Sequence, residues 1–152
     1  MSVKVKVIDK NPKAFDKYSK SFQIQLKRTL GKAGMMVRNT AVQSILSGGK
    51  SGKVYEKYNP RRTHKASAPG EAPASDTGNL VRNIRVVQEN KDLIKVESNA
   101  SYSQFLEFGT SKMLARPFLF PATERSRPKI AQAVFNRVVK EIKRLVKWVI
   151  IV

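Results

Sequence analysis

Cysteine is absent from the 152 residues. Disulfides, thiolate catalysis, iron–sulfur clusters and Cys-type zinc sites are thereby excluded together, and the absence fits a reducing compartment. The single histidine, His64, leaves no two-histidine metal site and no Cys/His dyad within one subunit. Acid is scarce: 11 Asp plus Glu stand against 30 Lys plus Arg. Those acids are scattered, without the cluster that magnesium or calcium requires. No run of about 18 apolar residues is present to cross a membrane. The N-terminus, MSVKVKVIDK, alternates Lys with Val and has no apolar signal core. The expectation is a chain with no cofactor, no bound metal and no membrane partner.

What the chain does have is positive charge, a net +19, which will attract nucleic acid, acidic protein or an anionic surface. The apolar share of 41% is enough for a modest core. The length suits one domain over residues 1–152.

Val3, Val5 and Val7 alternate with Lys4 and Lys6, predicting a short strand over Val3–Ile8. Asn11-Pro12 is a helix-start signal. From there Phe15, Tyr18, Phe22, Leu26, Leu30, Ala33, Val37, Ala41 and Ile45 recur in steps of three and four, one stripe on a long helix ending at Ser47-Gly48-Gly49. Gly31 and Gly34 interrupt it, as tolerated glycines, a bend or a close contact. The segment Lys50–Ser75, rich in Gly, Pro, Ser and basic residues, has no periodicity. It reads as a projecting basic arm that is mobile alone and orders on assembly. Asp76 with Thr77 and Gly78 predicts a capped helical turn. Two strand-like runs, Ile84–Gln88 and Leu93–Glu97, predict a β-hairpin. Ser101 and Gln104 have capping-box spacing for a short helix ending at Gly109. Met113–Phe120 is expected to be extended, Arg116-Pro117 included. Pro121 is expected to open the last helix, with Pro128 kinking or restarting it. In that helix Ile130, Val134, Val138, Ile142, Leu145 and Val149 form a stripe, opposite a basic face. The apolar end, Trp148–Val152, should dock on the core or a neighbour. The fold class is α+β: a small, mainly antiparallel sheet packed by a long N-terminal and a C-terminal helix, with the long basic loop projecting.

Catalytic constellations are weak. His64 sits in a basic loop without a held acid, which a general base needs. Gly49-Lys50-Ser51 matches only the end of a phosphate loop, because Ser44 stands where the first Gly belongs. No catalytic residue is assigned and no enzyme is expected. Tyr55 and Tyr58 interleave with Lys53, Lys57, Arg61 and Arg62, which suits stacking on bases or contact along phosphates. No nucleic-acid-binding signature accompanies them.

Three ordered motifs are distinctive: Pro73 to Ile84, containing Asp76-Thr77-Gly78-Asn79-Leu80; Tyr102 to Thr110, containing Phe105-Leu106-Glu107-Phe108-Gly109; and Ala115 to Ala122, containing Arg116-Pro117-Phe118-Leu119-Phe120-Pro121. This resembles the small neck or tail-completion proteins of long-tailed bacteriophages, the head–tail joining and minor tail components. Asn83 and Ser103 depart from the usual Ser and Ala without breaking the pattern. The resemblance implies a structural virion protein forming a ring, a hexamer to match the symmetry of a tail, between tail and DNA-filled head. Its implied partners are copies of itself, other neck proteins such as head-closure and tail-terminator or tail-tube proteins, and DNA passing through the channel. The implied location is the virion neck, with the host cytoplasm during assembly. Tyr55, Tyr58, Arg61, Arg62, Tyr102, Phe105, Glu107, Phe108, Arg116, Phe118 and Phe120 are the expected contact residues. Glu107 is expected on a helix surface or bridged to a neighbouring subunit or Arg116. Asp76, Gly78, Ser101, Gly109, Pro117 and Pro121 are the expected caps and turns. The rival reading is a basic nucleic-acid-binding protein without strong sequence specificity.

Overall fold

A computed structural model describes residues 12–90 and 93–146, and for residues 12–17 and 145–146 the backbone alone. The expected Val3–Ile8 strand and the apolar end from Trp148 lie outside the described residues.

The stripe that starts at Phe15 becomes α1, Pro12–Leu46. Its buried part is the C-terminal portion, Val37, Ala41 and Ile45. Helix α4, Leu119–Val146, packs on it, and the Ser126 hydroxyl donates to Thr40 Oγ1 at 3.2 Å across the contact. Strands β3 (Ile84–Gln88) and β4 (Ile94–Ser98) form the expected hairpin, with Val86 opposite Val96. The hairpin lies on α1. Gly34 permits this approach: a Cβ there would stand 2.7 Å from both Val86 Cγ1 and Ile94 Cγ2. Arg38 Nε donates to the Ile84 carbonyl at 2.9 Å. Gly31, by contrast, faces open space.

The core joins Val37, Ala41 and Ile45 to Leu80, Ile84, Ala100, Phe118 and Ala122. Leu80 comes from α2 (Asn79–Asn83), and Leu106, from α3 (Ser103–Phe108), packs against the cluster half-buried. The fold is α+β, with two separate two-stranded antiparallel sheets among the described residues.

Several expectations are corrected. The basic arm is not without regular structure. Strands β1 (Val54–Tyr58) and β2 (Arg61–Lys65) pair antiparallel across Asn59-Pro60, whose peptide bond is cis. It has no apolar alternation because both faces are largely exposed, so hydrophobic periodicity could not reveal it. The segment is thus a β-hairpin rather than a structureless loop. Helix α4 starts at Leu119, two residues before Pro121, and runs through Pro128 without restarting. Helix α3 has Tyr102, not Ser101, at its N-cap and no side-chain cap bond. Helix α2 is preceded by Gly78 at φ 75°, again without a side-chain cap, and Asp76 serves elsewhere.

Candidate assembly surface

The three sequence motifs meet as one structural unit. Asn79 Nδ2 donates to the Tyr102 hydroxyl at 3.2 Å, joining the first motif to the second. The Arg116 N–H donates to the Leu106 carbonyl at 2.7 Å, joining the second to the third. Glu107 completes the corner. Its Oε2 accepts the N–H groups of Phe118 at 2.9 Å and Leu119 at 3.0 Å, and its Oε1 accepts that of Phe120 at 2.8 Å. These are donors that the first turn of α4 cannot satisfy within the helix, and a carboxylate there also suits the helix dipole. Glu107 is therefore a cap supplied by a different helix, not a surface acid or a partner of Arg116. Gly109 ends α3 at φ 79°, and a Cβ there would lie 2.8 Å from the Met113 carbonyl oxygen.

The corner sorts its aromatic residues. Phe118 is 1% exposed and belongs to the core, which corrects its expected contact role. Phe105, Phe108 and Phe120 are 47%, 83% and 67% exposed, and Leu114 in the intervening loop is also exposed. Pro117 half-buries between loop and helix. Arg116 also turns inward: its Nε donates to the carbonyl of buried Ser67 at 3.2 Å. With the Gly70 N–H donating to the Ala115 carbonyl at 2.9 Å, it fastens the base of the arm to the third motif.

The arm is closed by two carboxylates. Glu71 accepts from the Ser51 hydroxyl, from the Ser51 N–H at 3.1 Å and from the Ala68 N–H at 2.9 Å. These hydrogen bonds, the Ser51 hydroxyl first, lower its carboxyl to about 2. Nearby, Gly52 N–H donates to the Ala66 carbonyl at 3.0 Å, an approach so close that a Cβ on Gly52 would meet that oxygen at 2.6 Å. Asp76 is the second. It pairs with Lys57 and, at 2.7 Å, with Arg62, while His64 Nδ1 lies 3.9 Å away. The hydrogen bond from Lys57, aided by the charge of Arg62, holds the Asp76 carboxyl below the usual range. So Asp76 ties both strands of the hairpin to the start of the first motif. Arg62 is spent in this clasp. Tyr55, Tyr58 and Arg61 remain exposed on the hairpin, and Tyr102 beside α3. Lys50, the remnant of the phosphate-loop pattern, donates to the Ser44 carbonyl at 2.8 Å at the end of α1. A groove of about 420 Å³ runs where His64, Asp76, Tyr102, Leu106 and Arg116 meet. Among the described residues no group of three or more His, Cys, Asp or Glu could hold a metal ion, and no helix is long and apolar enough to cross a membrane.

The described residues form a small α+β fold that buries few side chains and leaves Phe105, Phe108 and Phe120 exposed. The chain belongs to the HK97-gp10-like family, described as a candidate bacteriophage tail component, whose profile matches residues 9–109. That span takes in α1, both hairpins, the first motif and the second up to Gly109; the third motif and α4 lie beyond it. Neither a curated protein nor a solved structure matches. Membership makes the chain a structural component of a phage tail and suggests a place in the virion.

Proposed function

We propose that this chain acts at the head-proximal end of the tail, assembling as a ring of identical subunits that joins the tail to the DNA-filled head. The observation that carries this reading is the exposed corner of Phe105, Phe108, Leu114 and Phe120. Large apolar side chains gathered at one place are costly in water and mark a surface that another protein covers. The corner is also rigid, because Glu107 and Arg116 hold its three segments together. A rigid patch loses little freedom on docking. Head-to-tail contact between copies, with rotational closure, would set such a corner against a different face of its neighbour. The arm, carrying exposed Tyr55, Tyr58 and Arg61, would reach the next subunit or another neck protein, such as a head-closure or tail-terminator protein.

The test is complementation of a phage lacking this chain. The wild-type chain should restore joined particles, and the double variant Phe108→Asp/Phe120→Asp, whose positions are solvent-facing, should leave full heads and finished tails separate in electron micrographs. Normal joining without the chain would overturn the neck assignment. Normal joining with the double variant would overturn the corner as the contact.

A further inference from the structure

A second surface, away from the aromatic corner in sequence and in chemistry, lies between the two long helices. A groove of about 820 Å³ runs along α1 and reaches Arg137 on α4. Its α1 wall presents Gln25, Arg28, Lys32, Asn39 and Gln43. The spacings of three, four, seven and four residues keep them on one helical face. From Gln25 to Gln43 the wall is about 27 Å long at 1.5 Å per residue, most of one turn of B-DNA at roughly 34 Å.

The lining is one-sided in charge. Among the described residues no carboxylate lines the groove, and the sequence of α1 contains a single acid, Asp16. Arg28 and Lys32 are exposed and form no ion pair among the described residues. Buried Glu141, the nearest acid to Arg137, is already shared between Arg137 at 3.2 Å and Arg144 at 3.3 Å. Arg137 Nε is buried and finds no acceptor among the described residues. The groove thus offers guanidinium, ammonium and amide donors without acceptor charge of its own.

We infer that this α1–α4 groove binds duplex DNA along its phosphate backbone, without reading sequence. Three features favour this ligand. The donors form a row about 27 Å long, enough to meet several phosphates on one face of a duplex. Among the described residues no aromatic side chain lines the groove, so they offer no stacking platform of the kind that holds single strands. Met35 and Met36 are its only large apolar members among the described residues, too little for the desolvated centre of a protein interface. The inference stands on the groove alone and does not require the ring.

Fluorescence anisotropy on the full-length chain, titrated against two unrelated duplexes of about 30 base pairs, tests it. Both duplexes should bind alike, more tightly than a single strand of equal length, with affinity falling steeply with salt. Arg28→Glu/Lys32→Glu should weaken binding at least roughly tenfold and lower the salt slope by about two. The matched pair Arg85→Glu/Lys112→Glu, at exposed positions outside the groove, should change affinity less than about threefold on the same scale. Circular dichroism melts establish that each variant is folded. The inference is overturned if the two pairs weaken binding equally, if the single strand binds better, or if polyglutamate competes as well as duplex, which would mark the groove as a seat for acidic protein.

Discussion

Glu107 Oε2 accepts the backbone N–H of Phe118 at 2.9 Å, so the carboxylate that opens α4 also fixes the one aromatic residue of the corner that is fully buried. The cap and the core are mechanically one feature. Glu107→Ala leaves three N–H groups without their acceptor and removes a charge-assisted set of bonds. The expected loss is about 2 kcal/mol, a fall in melting temperature on the order of 5 °C for a chain of this length. Glu107→Gln keeps one acceptor oxygen and should fall between the two. Differential scanning calorimetry of the three proteins checks the order.

The two helical glycines of α1 should respond in opposite directions to the same substitution. Gly31 meets nothing within 4 Å, so Gly31→Ala gains helix propensity, about 1 kcal/mol. At Gly34 the new methyl would stand 2.7 Å from Val86 Cγ1 and Ile94 Cγ2. Both are branches of stiff β-branched side chains, so the β3–β4 hairpin must shift as a body. Overpacking of this kind costs about 1–3 kcal/mol and should exceed the propensity gain. Urea denaturation should place the midpoint of Gly31→Ala above wild type and that of Gly34→Ala below it.

These pairs also show which parts of the fold could be read from sequence. Helix α1 and the β3–β4 hairpin announce themselves because their apolar residues recur at the period of the element. The β1–β2 hairpin does not, because VYEKY and RRTHK have no buried face to impose alternation. Its register rests on Asp76 and on the backbone, neither of which leaves a periodic trace. Glu107 and Asp76 depart from their expected roles for a shared reason. Cap signals are sought within a few residues of a helix, whereas Glu107 caps a helix 11 to 13 residues further on, and Asp76 binds Lys57, 19 residues back. The corner's membership was legible in its three motifs. Which phenylalanine would be core and which surface was not, since that depends on how α3 meets α4.

The Asp76 clasp makes a prediction about the arm. With Lys57 and Arg62 bound to one carboxylate, both strands are tied to the body of the protein. The arm carries tryptic sites at Lys53, Lys57, Arg61, Arg62 and Lys65. Limited trypsinolysis of the intact protein should cut these slowly. Asp76→Ala should raise the cleavage rate there several-fold while sites in α4 are unaffected. Equal rates in the two proteins would mean that backbone pairing alone holds the hairpin.

Acid should loosen the base of the arm before it unfolds the rest. Glu71 has its carboxyl lowered from 4.5 to about 2 by the Ser51 and Ala68 hydrogen bonds, and Asp76 is lowered by Lys57. A depressed carboxyl contributes stability that is complete above its ordinary value and disappears as pH falls through the folded one. For Glu71 that window runs from 4.5 down to about 2. Hydrogen exchange read peptide by peptide, from pH about 5 to about 2 and corrected for the intrinsic rate, should show protection of residues 51–68 declining across the window. In Glu71→Gln the carboxyl is gone, so protection of the Ser51 and Ala68 amides, the two that Glu71 holds, should be lower at pH about 5 and decline less as acid is added, the decline left over in the strands being that of Asp76. A wild-type profile as flat as that of the variant would show that Ser51 and Ala68 do not depend on the ionised carboxylate.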